Sequence, residues 1–269
     1  MIARTLVALA FLTLPLAPAF AQNSGLAGLS GRDALLGWES VGRIDTATGG
    51  FCTGTLIAPD LVLTAAHCVF DVRSAKALAP QALTFRAGLS FDTVIAKRAV
   101  VQIAAHPQYV PGPNNSSENI ARDVALLKLD KPVSTTDADP FAVHDRPATG
   151  TEVSVLSYGQ GRAKTLSRQR SCQIKGQYRH VFTFDCDVTF GSSGAPVFVR
   201  TGTRMRILSI ISGGVTTQDG WVAVGMRLPA VVAMLKTRLH NAAPRPQAQL
   251  RRLTVGAKRG NTGAKFVKP

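Results

Sequence analysis

The sequence predicts an antiparallel all-β domain of the sandwich or barrel kind, and three observations lead to that prediction. Short apolar runs rich in β-branched residues recur along the middle of the chain. Gly, Pro, Asn and Asp separate these runs at intervals typical of strands joined by turns. The chain has 269 residues, 45% of them hydrophobic, which is enough for one large β-domain or two small ones with a real core.

The individual elements follow from these runs. The strand candidates are Thr55–Ile57, Leu61–Leu63, Val100–Ile103, Val124–Leu129, Val153–Leu156, Val197–Val199 and Ile207–Ile211. One segment has helical spacing instead: it begins near Pro229, a residue favoured in the first turn, and continues through Val232, Leu235 and Leu239. We therefore expect strands over most of the chain and a helix towards its end.

Residues 1–21 have the three parts of a secretory signal peptide. Arg4 supplies positive charge, residues 6–14 form an apolar stretch, and Ala19-Phe20-Ala21 matches a cleavage site. The stretch is too short and too interrupted by proline to span a bilayer of ~30 Å. We expect this segment to be removed and the protein to be secreted or periplasmic, with no transmembrane segment.

Four cysteines, Cys52, Cys68, Cys172 and Cys186, fit an exported protein, because an oxidising compartment permits disulfides. Four cysteines allow three pairings, and the residues alone do not choose among them. Pairing of sequence neighbours is the most economical arrangement, since each bond would close a loop of ~15 residues and contribute about 3 kcal/mol. No C-x-x-C pair or histidine cluster accompanies the cysteines, so we expect no metal site.

The last segment, residues 241–269, differs from the rest in composition. It contains seven lysines and arginines and no acidic residue, in a chain whose formal net charge is +15. With so few apolar residues it is expected to be a disordered basic tail. Two interpretations stay open: a solvated tail, which we favour, or adhesion to an anionic surface. Specific nucleic-acid binding is not expected, because Phe266 is the one aromatic residue in the segment for base stacking.

Three segments carry candidate chemistry, and the first is Thr64-Ala65-Ala66-His67-Cys68, directly after an apolar run. A general base needs an imidazole that is fixed near the nucleophile and has a pKa near neutrality. A preceding strand and a neighbouring cysteine that can form a disulfide would both fix the ring. His67 is therefore the candidate base.

The second segment is Arg122-Asp123, which is followed by an apolar run to Leu129. One carboxylate is thus placed directly before the start of a predicted strand. A buried carboxylate that accepts a hydrogen bond from an imidazole selects the ring's tautomer and stabilises the imidazolium. A turn aspartate before a strand is the commoner alternative. Asp123 is the candidate partner of His67.

The third segment is Gly191-Ser192-Ser193-Gly194-Ala195-Pro196, followed by the apolar run Val197–Val199. Glycines beside a serine permit the sharp turn that exposes its Oγ, and they let backbone N–H groups converge on a developing oxyanion. A flexible linker has a similar composition, but the strand directly after the segment favours an ordered turn. Ser193 is the candidate nucleophile.

Together the three segments resemble the trypsin/chymotrypsin superfamily of serine peptidases, whose members carry T-A-A-H-C, D-[IV]-A-L-L and G-D-S-G-G-P in this order. The order His, Asp, Ser distinguishes this superfamily from subtilisins and α/β-hydrolases. Residues 50–57 resemble the strand of the family's first disulfide partner, which implies a Cys52–Cys68 bond. His106-Pro107-Gln108-Tyr109 resembles the family's H-P-x-Y stretch. The similarity covers roughly residues 38–240.

The resemblance implies both a fold and a set of roles. The fold would be two six-stranded antiparallel Greek-key β-barrels with the active site between them, followed by a C-terminal helix. His67, Asp123 and Ser193 would form a catalytic triad. The backbone N–H groups of Gly191 and Ser193 would form an oxyanion hole.

The nucleophile segment departs from animal trypsins at two positions. Ser192 replaces the aspartate that pairs there with a freshly cut N-terminus, and Ala195 replaces the second glycine. No I-V-G-G-like start lies upstream of Trp38. The G-[SNQ]-S-G-[SA]-P form resembles bacterial secreted relatives, including the glutamyl endopeptidase group. Residues 22–37 are then an N-terminal segment or a propeptide.

Substrate preference depends on Asp187, six residues before Ser193, where trypsins place the acid that binds Arg or Lys. Glutamyl endopeptidases also often have Asp at this offset, with a threonine after it and a histidine in an I-H-W-G-G-like stretch. Here Val188 follows Asp187, and the stretch around Ser212 and Gly213 lacks that histidine. We expect Asp187, Ser212 and Gly213 to bind substrate, with a basic residue slightly favoured before the cut.

The sequence therefore predicts a secreted serine endopeptidase that acts on proteins or peptides through an acyl-enzyme, as a monomer and without a cofactor. The alternative is a non-catalytic homologue that acts as a binding protein at an anionic surface. Such homologues usually lose a triad residue, and this chain keeps all three.

Overall fold

The computed structural model describes residues 25–144, 149–218 and 220–242. The expected signal segment and nearly all of the expected basic tail lie outside these ranges. The described chain is mostly β-structure. A short strand, β1 (Leu26–Gly28), and one helical turn, α1 (Arg32–Leu35), precede two β-barrels.

The first barrel is built from the N-terminal half of the described chain. Its strands are β2 (Val41–Thr46), β3 (Phe51–Ala58), β4 (Leu61–Thr64), β5 (Leu83–Ala87), β6 (Ala96–Ala105) and β7 (Ala125–Leu129). They close in the order β2-β3-β4-β7-β6-β5, and all neighbouring pairs are antiparallel. Because β5 returns to lie beside β2 after three consecutive strands, the connection is a Greek key.

The second barrel repeats this topology. Its strands are β8 (Glu152–Ser157), β9 (Ser167–Tyr178), β10 (Val181–Phe184), β11 (Pro196–Thr201), β12 (Arg204–Thr217) and β13 (Gly220–Met226). The order is β8-β9-β10-β13-β12-β11, and pairing of β11 with β8 closes the ring. Strand β1 adds to its outside by pairing with β9. The predicted pair of six-stranded antiparallel barrels is thereby confirmed.

Two further helices accompany the barrels. Helix α2 (Ser117–Ala121) precedes Asp123, and the hydroxyl of Ser116 caps it by accepting a hydrogen bond from the Asn119 N–H at 3.3 Å. Helix α3 (Pro229–Ala242) packs on β6 and β7. This confirms the helix expected after Pro229. None of the described helices combines the length and apolar character that a membrane span requires.

Aromatic side chains join the two barrels. Phe198 of β11 is fully buried in an apolar cluster that includes the core of the first barrel and residues of the second. Its ring lies 4.6 Å from that of Phe141 and 5.3 Å from that of Trp38, measured between centroids. Such contacts between aromatic rings add to the free energy of burial. The two barrels are thus held together by a packed core, and loops from both meet at one cleft.

Candidate active site

A cleft of about 1230 Å³ opens where loops of the two barrels meet. His67 and Asp123 of the first barrel line it, and so do Ser193, Ser212 and Gly213 of the second. In the sequence these residues are up to 146 positions apart. The structure therefore brings the predicted base, acid and nucleophile into one place.

His67 lies on a 3₁₀ turn, Ala66–Val69, directly after β4. The turn is tied to β3 by the Cys52–Cys68 disulfide. The side chain of His67 is 33% exposed, whereas its neighbours Ala66 and Cys68 are buried. The turn thus presents the imidazole to the cleft from a fixed backbone.

Asp123 is the buried acid of the site, with a side chain only 4% exposed. Its Oδ2 lies 2.7 Å from His67 Nδ1, and its Oδ1 accepts a hydrogen bond from the His67 backbone N–H at 2.8 Å. Ser212 Oγ donates to the same Oδ2 at 2.5 Å. A carboxylate with these partners is held in one orientation.

Ser212 reaches Asp123 because β12 is irregular there. The pairing register of β12 with β13 shifts between Ile211 and Gly213. Such a bulge leaves one residue out of the regular pairing and redirects its side chain. Ser212 is thus a contact of the acid as well as a residue of the cleft, a role that the sequence does not reveal.

Two opposing effects act on the pKa of His67. Burial lowers the pKa, while the charge of Asp123 and the hydrogen bond to it raise it by more, so that it lies above the ordinary value of 6.5. The charged imidazolium is the form stabilised by this pairing. Because Nδ1 is engaged by Asp123, Nε2 is the ring nitrogen left to exchange a proton with a substrate or nucleophile.

The Ser193 loop has a backbone that other residues could not adopt. Gly191 has φ of 92° and Gly194 has φ of 75°, in the region that favours glycine. Space is equally restrictive: a Cβ on Gly191 would lie 2.2 Å from the Phe51 ring, and one on Gly194 would lie 2.2 Å from Thr64 Oγ1. The two glycines therefore let the loop pack against the first barrel on both sides of Ser193.

Thr53 of β3 fastens this loop across the barrel interface. Its N–H donates to the Ser193 carbonyl at 2.9 Å, and its Oγ1 donates to the Gly191 carbonyl at 2.9 Å. Within the described chain, the N–H groups of Gly191 and Ser193 have no hydrogen-bond acceptor, whereas that of Gly194 is bonded to the Ile211 carbonyl. The loop thus keeps two unused backbone donors beside the serine hydroxyl.

Asp187, the predicted specificity residue, lies outside the cleft that the other predicted catalytic and substrate-binding residues line. It is exposed and is not among the residues that line the cleft. Its N–H donates to Gln169 Oε1 at 2.7 Å, and the Gln169 amide reaches its Oδ2 at 3.5 Å. The Asp187 carboxylate is therefore oriented by Gln169 of β9 and does not contribute to the lining of the cleft.

The wall of the cleft beside Ser212 and Gly213 is apolar instead. Val188, Ile211 and Trp221 contribute to it. The indole of Trp221, half exposed, packs directly on Gly214, where a Cβ would lie 2.0 Å from the ring. An apolar wall of this kind offers contact area but no charge to a substrate side chain.

The second disulfide, Cys172–Cys186, joins β9 to the segment that leads to Ser193. The two bonds are thus the sequence-neighbour pairing. Each disulfide has one further metal-ligand type beside it, His67 at Cys52–Cys68 and Asp185 at Cys172–Cys186. Sulfur atoms joined in a disulfide are not thiolates and are therefore poor metal ligands.

Comparison with known proteins identifies a family and a solved structure that are similar to this chain. The family model for the trypsin-like peptidase domain matches residues 52–204, a range that contains His67, Asp123 and Ser193. The chain is similar in fold to a Glu endopeptidase solved in complex with MPD, with a TM-score of 0.66 and 18% identity over 82% of this chain and 98% of that one.

The chain is also similar in amino-acid sequence to curated proteins. Serine protease 23 of Rattus norvegicus is 28% identical over 214 residues, covering 70% of this chain and 54% of its own length. Coagulation factor IX of Cavia porcellus is 28% identical over 151 residues, covering 54% of this chain and 50% of its own. The chain spans about half the length of these relatives. The match to more than half of the chain shows that the protein belongs to the trypsin-like peptidase family.

Proposed function

We propose that this chain is a serine endopeptidase that cleaves peptide bonds through His67, Asp123 and Ser193. The observation that carries the proposal is the environment of Asp123. A buried carboxylate that binds the imidazole Nδ1 and the histidine backbone, in the same cleft as an ordered serine, is what general-base activation of that serine needs.

The first step would be attack of Ser193 Oγ on the carbonyl carbon of the scissile bond. His67 Nε2 takes the hydroxyl proton, and Asp123 stabilises the resulting imidazolium without being protonated itself. The tetrahedral intermediate carries its negative charge on the former carbonyl oxygen. The unused N–H groups of Gly191 and Ser193 are the donors for this oxyanion.

The intermediate then collapses as His67 returns the proton to the leaving amine, and Ser193 is left as an acyl ester. Water enters, His67 removes one of its protons, and attack on the ester releases the new carboxyl end. The serine hydroxyl is regenerated by the proton on His67. No metal or organic group is needed for any of these steps.

Covalent labelling tests the proposal. A fluorophosphonate should label the mature, disulfide-bonded protein, and mass spectrometry of the digest should place the label on Ser193. Ser193→Ala should lose both labelling and peptide hydrolysis. Ser134→Ala, which removes an exposed hydroxyl outside the cleft, is the matched control and should keep both. A folded wild-type protein that takes no label would overturn the proposal and favour a non-catalytic binding protein.

The preference for a basic residue before the cut stays a prediction that rests on Asp187. The exposed position of this carboxylate lends it no support, and the wall formed by Val188, Ile211 and Trp221 offers apolar contacts. A cleavage profile on a mixed peptide library, run beside an Asp187→Ser variant, decides between the two. Arg or Lys before the cut in the wild type, lost in the variant, supports the basic preference. An apolar preference that the variant leaves unchanged rules it out.

The compartment and partners belong to the same proposal. Two disulfides in the described chain fit an oxidising location such as the cell exterior or the periplasm. Substrates would be proteins or peptides, in line with the family. Adhesion of residues 241–269 to an anionic surface is tested by the salt dependence of binding to an anionic polymer, compared with a chain cut after Ala242.

A further inference from the structure

Ser192, directly before the proposed nucleophile, is fully buried. Its Oγ lies 3.2 Å from Ser157 Oγ and 3.3 Å from the Tyr158 carbonyl, and it accepts a hydrogen bond from the Thr189 N–H at 3.2 Å. A fourth partner is Arg162, whose Nη2 donates to the same hydroxyl at 3.2 Å. This serine is therefore the centre of a polar cluster beneath the Ser193 loop.

Arg162 is the cation of this cluster. Its Nη1 donates to the Ser157 carbonyl and its Nη2 to Ser157 Oγ at 2.9 Å, at the end of strand β8. Burial lowers the pKa of Arg162, and the charge of Asp187 acts in the opposite direction. A guanidinium nevertheless stays protonated and can hold several acceptors at once with its planar fork. Arg162 thus connects the end of β8 to Ser192.

The cluster acts on the site through the backbone. Ser192 stands between Gly191 and Ser193, whose free N–H groups are the proposed oxyanion donors. The Ser192 N–H is bonded to the Thr189 carbonyl, and its own carbonyl accepts from Ala195. Holding the Ser192 side chain therefore helps to fix the peptide plane that follows Ser192, and this plane carries the Ser193 N–H. The Gly191 N–H belongs to the preceding Phe190–Gly191 peptide, whose carbonyl accepts a hydrogen bond from the Gln160 N–H at 2.7 Å.

The N-terminal part of the described chain is not among the hydrogen-bond partners of Ser192. Residues of β1 pair with β9, and Ala27 and Gly28 are exposed there. The contacts of Ser192 come from Ser157, Tyr158, Arg162 and Thr189. The position at which animal trypsins carry an aspartate for a terminal ammonium is thus occupied by a serine with an internal cation beside it.

We propose that Arg162 is a positioning residue for the oxyanion-binding N–H of Ser193, acting through Ser192, and that it makes the Ser193 loop independent of a free N-terminus. This inference rests on the proposed peptidase function. It predicts that Arg162 contributes mainly to the rate of the chemical step and little to substrate affinity, because oxyanion contacts form fully only in the transition state.

The test is kinetic, with a peptide amide as substrate. Arg162→Ala should lower kcat by about 10²-fold, since loss of one oxyanion donor has effects of 10²–10³, and should change KM little. Guanidinium ion at non-denaturing concentration should restore part of kcat by occupying the vacated place. A variant whose kcat stays within about twofold of wild type, or shows no rescue, would overturn the inference.

Arg168→Ala is the matched control. Arg168 is also partly buried and donates to a serine hydroxyl, that of Ser154 at 3.1 Å, while its guanidinium lies over the Trp38 ring. Neither of these contacts of Arg168 involves the Ser193 loop. This variant should lose stability without a selective loss of kcat, and guanidinium should not restore activity. Equal rescue of both variants would mean that the effect on Arg162→Ala is unspecific.

If Arg162→Ala fails to fold, Arg162→Lys replaces it. A lysine keeps the charge but cannot bond Ser157 and Ser192 together with a planar fork. A folded lysine variant with reduced kcat supports positioning, whereas one with wild-type kcat shows that Arg162 serves folding only. Extending the N-terminus should leave kcat unchanged within about twofold, and abolition of activity by the extension would contradict the independence from a free terminus.

These outcomes separate the two proposals. A wild-type protein that takes no fluorophosphonate label defeats the peptidase function itself. A wild type that is labelled and active, beside Arg162 variants that are equally active, defeats only the positioning role.

Discussion

The two barrels share one strand order but hold their parts of the site in different ways. The first barrel fixes His67 and Asp123 through direct side-chain and backbone hydrogen bonds between the two residues. The second barrel presents Ser193 on a loop whose shape depends on residues far away in sequence. Thr53 holds two of its carbonyls, and Arg162 reaches the residue beneath it. The proposed base is thus fixed mainly by contacts within one barrel, and the proposed nucleophile by contacts from both barrels.

This difference predicts different responses to mutation. Changes at the base half should alter proton transfer while the fold stays intact, because the backbone there is held by a strand and a disulfide. Changes at the nucleophile half should alter backbone geometry, and so reach activity through the oxyanion donors.

The largest effect is expected at the base half. Asp123→Asn keeps the size of the side chain but would place the imidazole in the wrong tautomer, and kcat should fall by about 10⁴-fold. Steady-state kinetics together with thermal unfolding measure this. Asp60→Asn, which breaks an ion pair with Lys128 in the same barrel, is the control and should keep kcat. A similar kcat for Asp123→Asn and wild type would remove Asp123 from the mechanism.

At the nucleophile half, Gly194→Ala should lower kcat by about 10²-fold or more, since displacements of ~1 Å at a reacting group have effects of this size. The added Cβ would lie 2.2 Å from Thr64 Oγ1 and 2.3 Å from the Thr53 carbonyl. Gly202→Ala is the control, because Gly202 also has positive φ, 61°, but open space around it. It should cost stability only, about 1–2 kcal/mol. Equal kinetics for both variants would contradict the packing account of this loop.

Ser212 links the two halves, and its removal should have a smaller effect. Ser212→Ala takes one hydrogen bond from a buried carboxylate, worth about 1.5–3 kcal/mol, so that kcat/KM should fall by about 10- to 10²-fold. Ser209→Ala is a matched control on the same strand, since its buried hydroxyl donates to the Met226 carbonyl at 2.8 Å, away from the cleft. That variant should be less stable with kcat/KM unchanged. The reverse result would place Ser212 outside the acid–base pair.

The smallest effect concerns pH. Because the folded pKa of His67 is raised above 6.5 and the neutral ring is the proposed base, the acidic limb of kcat/KM should have its midpoint above 6.5. The raised pKa of His67 also makes the stability of the folded protein depend on pH. The stability that His67 gains from Asp123 is fully present below the unfolded pKa and is lost as pH rises through the raised folded pKa. The stability difference between wild type and Asp123→Asn should therefore shrink towards alkaline pH, and a limb at or below 6.5 would contradict the pairing.

The parts of the fold that follow from the sequence are those with a strong local pattern. Helix α3 begins at Pro229 as expected, and the apolar runs before and after the candidate residues are strands. Six strands lie outside the predicted runs, namely β1, β2, β5, β9, β10 and β13, and β9 is the longest of them with twelve residues. Its inward and outward residues alternate, and arginines and glutamines occupy many positions, so that no apolar run marks it. A half-buried strand of this composition gives little signal in a single sequence.

The residues of the candidate site also divide into those that a local sequence motif marks and those that it does not. His67, Asp123 and Ser193 stand in short motifs with a chemical reason for each residue. The contacts of Thr53, Arg162 and Ser212 join segments that are 30 to 138 residues apart, and no spacing rule connects them. Asp187 shows the converse, because an offset of six residues from Ser193 does not determine which way a carboxylate lies. Direction is set by tertiary packing, here by Gln169.

Pre-steady-state kinetics with an activated ester tests the central claim most directly. If Ser193 is an activated nucleophile, wild-type protein should release a burst of about one leaving group per chain, followed by slower turnover. The acyl group trapped at low pH should map to Ser193. A protein that is folded and disulfide-bonded but shows no burst, or one whose acyl group maps to another residue, would contradict the account.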